Sequence, residues 1–177
     1  MKKPSFKFKS LTEADLPMLA DWLSRAHLQK WWREEEITIE RIRDKYLPRI
    51  FGEDDARPYL VYLDNSPVGY IQFYHAWINQ AWWPDKPEKG VLGIDQFIAE
   101  ENNLGKGIGS RFIAEFVKQL FENPEITEVR VDPKPDNERA IRCYKKVGFK
   151  KAGQINTPDG PAMMMVLKRK TFLGKYQ

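Results

Sequence analysis

Along this chain the hydrophobic positions switch between a period of two and a period near three and a half, and the switches outline the elements. Phe6-Lys7-Phe8-Lys9 alternates like a short strand. Thr12-Glu13-Ala14-Asp15 offers a capping signal with an acidic first turn, and Leu16, Leu19 and Leu23 follow at helical spacing, which predicts a helix to about Ala26. A second helix begins at Thr38 and carries Ile39, Ile42, Tyr46 and Leu47 to near Pro48. Two apolar runs, Tyr59 to Leu63 and Val68 to Tyr74, joined by Asp64-Asn65-Ser66-Pro67, give a hairpin signal. Residues 77–89, with Pro84 and Pro87, read as a loop, and Val91 to Ala99 as a buried strand. The strongest helix starts at Gly107, with Ile108, Phe112, Phe116 and Leu120 on one face and Arg111, Glu115, Lys118 and Glu122 facing out. Thr127 to Asp132 alternates, Val129 and Val131 on one face and Arg130 and Asp132 on the other. Asn137 can cap a helix running to about Lys146, and Gly148 ends it. Strands near 150–156 and 162–168 flank a Thr157-Pro158-Asp159-Gly160-Pro161 turn. With no repeat and no linker, these elements predict one α/β domain over residues 1–177, in which 168–177 form a basic C-terminal tail with Lys168-Arg169-Lys170 at the surface.

Composition removes several classes. A chain of 177 residues that is 42% hydrophobic and 31% charged is too apolar and too mixed to be disordered. No apolar run approaches the roughly 20 residues of a membrane helix, and no apolar stretch follows Met1-Lys2-Lys3, so neither a membrane span nor a signal peptide is expected. The expected location is cytoplasmic. Cys143 is the single cysteine, which forbids an internal disulfide, and neither His27 nor His75 has metal-ligand spacing, so no metal is expected. Residues 1–90 carry 14 basic against 14 acidic side chains, whereas 91–177 carry 15 against 11. The excess in the second half suits an anionic partner there, although a solvated surface accounts for it as well.

Candidate chemistry starts at Leu104-Gly105-Lys106-Gly107-Ile108-Gly109-Ser110, between a strand and the strongest helix. Closely spaced glycines let the backbone approach a ligand, and the amides opening the helix point into the same space, so the segment is suited to phosphate. It lacks the Gly-Lys-Ser/Thr ending of a P-loop and the Rossmann spacing. A tight strand-to-helix turn is the alternative.

A second motif, Asn137-Glu138-Arg139-Ala140-Ile141-Arg142-Cys143-Tyr144-Lys145-Lys146-Val147-Gly148-Phe149, closely resembles the N-x-x-A-x-x-x-Y-x-x-x-G-F signature of the GCN5-related N-acetyltransferases (GNAT). The resemblance implies an α/β (α+β) GNAT fold: a single mixed, mostly antiparallel sheet, splayed between central strands near 92–98 and 128–132, flanked by about four helices. It implies acetyl-coenzyme A as donor, with Gly105, Lys106, Gly107, Ile108, Gly109, Ser110 and Asn137 as its binding residues. Leu104 departs from the family, many of whose members have Gln or Arg there.

Trp31-Trp32, Trp82-Trp83, Gly93-Ile94-Asp95-Gln96, Asp132-Pro133 and the 157–161 turn are similar to the type Ib subgroup of aminoglycoside 6′-N-acetyltransferases, from about Leu11 to Leu167. By that resemblance Asp95, Asp132 and Asp159 surround an aminoglycoside, Trp82 and Trp83 border it, Asp95 takes the ammonium proton, and Tyr144 protonates the leaving thiolate in a ternary complex. Polycations rich in hydroxyls call for carboxylates and flat apolar faces in any case. An unperturbed primary ammonium has a pKa of about 10 and must lose its proton before attack. Asp95 stands in an otherwise apolar strand, where a carboxylate needs a partner or a task; a structural ion pair, with Arg130 as one candidate partner, is the alternative. Asp159 can equally serve its turn, and Tyr144 can be a buried helix aromatic.

Cys143 reads as a small helix residue, not a nucleophile, and His27 and His75 are not its bases. Trp31-Trp32 reads as core, Met163-Met164-Met165 as strand packing, and Glu34-Glu35-Glu36 as a solvated face. Other acceptors within the fold include a lysine-like siderophore precursor, whose carboxylate would want a cation in the pocket. Nucleic-acid binding has no supporting signature, and an acyl-coenzyme A sensor would bind without transfer. Either a monomer or a homodimer is compatible with the sequence.

Overall fold

The computed structural model describes residues 5–32 and 36–176. The strands are β1 (Phe6–Ser10), β2 (Arg57–Leu63), β3 (Ser66–His75), β4 (Val91–Ile98), β5 (Glu128–Val131), β6 (Lys150–Thr157) and β7 (Gly160–Lys168). They form one open sheet in the order β1-β2-β3-β4-β5-β7-β6. The β4–β5 pair is parallel, and β1–β2, β5–β7 and β6–β7 are antiparallel. The helices are α1 (Leu16–Leu23), α2 (Ala26–Gln29), α3 (Ile39–Ile50), α4 (Ile108–Leu120), α5 (Glu138–Val147) and α6 (Arg169–Leu173). This is the expected mixed α/β sheet of the GNAT fold. None of the helices among the described residues is long and apolar enough to cross a membrane.

The chain forms two compact units, residues 1–72 with 96–104, and residues 73–95 with 105–177. The first contains α1, α2 and α3. Leu16, Leu19, Leu23, Ile42 and Tyr46 from its helices meet Tyr70 and Phe97, whose rings stack 5.3 Å apart. Trp32 sets its edge on Phe97 at 4.9 Å, so it belongs to this core as its sequence context suggested. Asp64 and Asn65 both take positive φ, 47° and 71°, as a two-residue hairpin turn between β2 and β3 requires. The first helix is shorter than its spacing predicts. Arg25 adopts extended backbone (φ −73°, ψ 141°) and starts the separate α2. Its guanidinium reaches the Ala99 carbonyl at 2.7 Å and pairs with Asp21 and Glu100, bonds that a continuous helix through Arg25 would have to rearrange. Of the acidic run, Glu34 and Glu35 lie outside the described residues, while Glu36 is exposed and 3.6 Å from Arg41.

In the second unit α4 buries Ile108, Phe112, Ile113, Phe116 and Val117, the stripe its periodicity predicts. Helix α5 buries Ile141, Tyr144 and Val147. Lys168 and Lys170 are exposed, but the tail carries structure of its own: residues 169–173 form α6, and Phe172, 1% exposed, packs on Phe121 with ring centroids 5.6 Å apart. The basic neighbours Lys168, Arg169 and Lys170 dominate the local composition and hide this apolar anchor. Lys175 follows it onto the end of α5, its Nζ lying 2.7 Å from where a Cβ on Gly148 would stand. The helices therefore number six among the described residues, with α2 and α6 as the short additions to the expected four.

Candidate active site

Apart from Leu104, the second unit holds the residues expected to bind or react, from Trp82 to Asp159. Parallel pairing joins Val91 to Glu128, Leu92 to Val129 and Gly93 to Arg130. Beyond Gly93 this ladder stops and β4 runs on to Ile98. Residues two apart on a strand share a face, so the same register sets Asp95 and Asp132 at matching positions on the two strands, just past the last pair. Both side chains are half-buried. Burial drives the Asp132 carboxyl well above the usual range for an aspartic acid, and the charges of Asp95 and Asp159 push it further; a backbone hydrogen bond and Lys134 work the other way. Asp159 itself is exposed in the β6–β7 turn, where its N–H donates to Thr157 Oγ1 at 3.2 Å and its carbonyl accepts from Lys134 Nζ at 2.8 Å. Its backbone serves the turn, and its charge acts on Asp132.

Arg130 is not the partner of Asp95. Its side chain is buried between Asp85, at 2.8 Å, and Glu128. Burial alone would disfavour the guanidinium charge, but these two carboxylates outweigh that and raise its pKa. Asp85 belongs to the loop of residues 77–90, so the ion pair ties that loop to β5. The Arg130 cation also lies 5.5 Å from the Trp83 ring centroid. Trp83 is 0% exposed and has no surface on which a ligand could stack, whereas Trp82 keeps accessible area.

Tyr74, near the end of β3, was not singled out by the sequence. The Ala76 N–H bonds the Val91 carbonyl at 3.0 Å, an antiparallel pairing that sets Tyr74 opposite Gly93. A Cβ on Gly93 would fall onto the Tyr74 ring and hydroxyl, so glycine at this point lets the ring lie flat across β4. Burial, Asp95 and Asp132 hold the Tyr74 phenol well above its ordinary pKa, partly offset by the Trp83 indole; Tyr144 adds to the rise. Tyr144 is buried on α5 with its ring edge on Phe149, 5.6 Å between centroids. Two tyrosines and two aspartates thus act on one another electrostatically.

The glycine segment turns as its composition requires. Gly105 and Gly107 have φ of 73° and 76°, and Gly107 caps α4. The first bond within the helix runs from the Arg111 N–H to the Gly107 carbonyl at 3.2 Å, so the amides of Ile108, Gly109 and Ser110 precede it. A Cβ on Gly105 would meet nothing within 4 Å. The Ser110 hydroxyl donates to the Gly107 carbonyl at 3.1 Å, and Lys106 is exposed. Lys146, which no motif in the sequence marks, places its Nζ 3.6 Å from the Cβ position of Gly107. Asn137 caps α5, its Oδ1 accepting from the Ala140 N–H at 3.2 Å. Burial pushes the Cys143 thiol up to about 11, against Lys146 and Arg139. Among the described residues no group of three His, Cys, Asp or Glu side chains is arranged to hold a metal.

Comparison with known proteins places this geometry. The family described as "Acetyltransferase (GNAT) domain" matches residues 12–157. The chain is 42% identical over 171 residues to the aminoglycoside N(6′)-acetyltransferase type 1 of Klebsiella pneumoniae, covering 95% of this chain and 85% of that protein. It is 48% identical over 91 residues to a kanamycin resistance protein of Rhizobium radiobacter, covering 51% of this chain and 84% of that one. The crystal structure of aminoglycoside acetyltransferase AAC(6′)-Ib in complex with coenzyme A and kanamycin superposes with a TM-score of 0.90 at 40% identity, over 98% of this chain and all of that one. A sheet with this strand order, a glycine turn opening α4 and a family match across most of the sequence lead to one conclusion: the chain belongs to the GNAT acetyltransferases.

Proposed function

We propose that this chain transfers the acetyl group of acetyl-coenzyme A to the 6′-amine of aminoglycoside antibiotics in the cytoplasm, within a ternary complex, and so confers resistance. The observation that carries the reading is the Asp95–Asp132 pair, with Asp159 acting on it. Like charges that act on one another disfavour the ionised state until a cation arrives, which suits a polycationic acceptor and not one bearing its own carboxylate. The Klebsiella pneumoniae relative and the kanamycin complex support the same acceptor.

Acetyl-coenzyme A supplies the activated thioester. Its fit rests on the amides of residues 108–110, the open face of Gly105 and the Lys146 ammonium, which together suit a pyrophosphate. Gly105, Lys106, Gly107, Ile108, Gly109, Ser110 and Asn137 would line that end. On the acceptor side Asp95, Asp132 and Asp159 hold ammonium groups, and Trp82 offers the accessible aromatic face. Asp95 takes the proton that frees the amine for attack, directly or through water. A backbone N–H on the part of β4 beyond its ladder with β5 stabilises the oxyanion as the carbonyl becomes tetrahedral. Tyr144 gives its proton to the sulfur as the C–S bond breaks. No covalent enzyme intermediate is needed.

The test is thiol release from acetyl-coenzyme A by the purified protein with kanamycin, tobramycin or a lysine-type amine, the product mapped by mass spectrometry. Release with the aminoglycosides alone, and acetyl at the 6′ nitrogen, is expected. Release with only the lysine-type amine would overturn the acceptor.

A further inference from the structure

One buried group has no task in the scheme above. The Trp83 indole is fully enclosed, yet its nitrogen makes no hydrogen bond of good geometry, and an unmet buried donor is destabilising. It is nevertheless held firmly. The Arg130 cation covers its face at 5.5 Å, and Arg130 is itself fixed by Glu128 and by Asp85, which belongs to the same loop as Trp83. The polar edge of the indole acts on the Tyr74 phenol. That phenol lies across Gly93, two residues before Asp95 on the same face of β4.

We propose that Tyr74 is a positioning residue of the acceptor site: its O–H, lying over Gly93, donates toward the Asp95 carboxylate, and the Trp83 indole, held by Arg130, keeps the phenol in that direction. The inference rests on the acceptor reading above. The groups that act electrostatically on the phenol are Asp95 from β4, Asp132 from the end of β5, Tyr144 from α5 and Trp83 from the loop; Asp159 and Lys134 act in turn on Asp132. Since burial and both aspartates keep Tyr74 protonated, it remains a donor throughout the working range. A donor on Asp95 keeps one carboxylate oxygen engaged and turns the other to the incoming ammonium. Arg130 and Trp83 thereby influence the acceptor without touching it.

Tyr74→Phe keeps the ring over Gly93 and removes only the oxygen. The KM for kanamycin should rise roughly tenfold, as expected for one lost hydrogen bond, with the KM for acetyl-coenzyme A within about twofold of wild type. Loss of a donor destabilises the Asp95 anion, so the acid limb of the kcat/KM profile should move to higher pH. Trp83→Phe should give the same shift, smaller. In proton–nitrogen NMR spectra without substrate, the Trp83 indole signal should move on Tyr74→Phe. An unmoved indole signal overturns the contact whatever the acceptor proves to be. An unmoved acid limb, with both KM values changed alike, overturns positioning in favour of packing. Wild-type protein that ignores kanamycin overturns the acceptor reading instead, and the indole signal still decides the Tyr74–Trp83 contact.

Discussion

Asp95 on β4 and Asp132 just past β5 stand at matching positions of a parallel register whose last pair is Gly93 and Arg130. The charge of Asp95 acts on Asp132 where the ladder ends, and like charges in such a pair are relieved by a cation. On the proposed function their roles should separate kinetically. Asp95→Asn should lower kcat by about 10²- to 10⁴-fold, the usual contribution of a general base. Asp132→Asn should mainly raise the aminoglycoside KM. Steady-state kinetics with both substrates varied checks the split, and equal losses in kcat for both variants would contradict it.

The raised pKa of Asp132 makes stability depend on pH with a definite sign. In the folded protein this carboxyl binds its proton more tightly than in the unfolded chain. Its contribution is therefore full below the unfolded value of about 4 and is lost as pH rises through the elevated folded value. Melting temperatures of wild type and Asp132→Asn should diverge over that interval, the wild type losing stability relative to the variant. Aminoglycoside binding in the same window should release a proton, measurable by calorimetry in buffers of different ionisation enthalpy.

Lys146 reaches the glycine turn from α5, 3.6 Å from the Cβ position of Gly107. Lys146→Ala should raise the KM for acetyl-coenzyme A by about three- to tenfold, in the range of one charge-assisted bond at an exposed site. The effect should shrink as salt is added, and the aminoglycoside KM should stay unchanged.

Cys143 provides a negative control. With its thiol pushed up to about 11, only ~10⁻³ of it is thiolate at pH 8. Alkylation by iodoacetamide should be slow in the native protein, and Cys143→Ala should retain wild-type turnover. A variant without activity would revive a nucleophilic role.

Phe172→Ala should cost about 3–5 kcal/mol, as for a fully buried aromatic, and denaturant titration would show it. The sequence hid this residue because its charged neighbours suggest surface, while a single aromatic sets no periodicity. Elsewhere the pattern was decisive: the α4 stripe and the β5 alternation were read from spacing alone, and both glycine turns and capping residues fell where local chemistry requires. The α1–α2 break escaped because bonds from Arg25 to Asp21, Glu100 and the Ala99 carbonyl decide it, two of them to residues far along the chain. Tyr74 escaped for a related reason. Its importance lies in facing Gly93, and neither residue is unusual until β3 and β4 are paired. The sequence offers Arg130 as a possible partner of Asp95, yet Arg130 pairs with Glu128 on its own strand and with Asp85, which sits in a loop whose path no pattern predicts.

Because β4 and β5 run parallel, α4 and its connections must cross between them before the two strands can meet. Contacts of such long sequence separation form late and slowly in folding. The acid pair therefore does not exist in a partly folded chain and appears only with the closing of this crossover, against its own repulsion. A polyvalent cation present during refolding screens that repulsion at the step where it arises. Refolding should then be faster with an aminoglycoside than with sodium at equal ionic strength, and the advantage should vanish in Asp132→Asn.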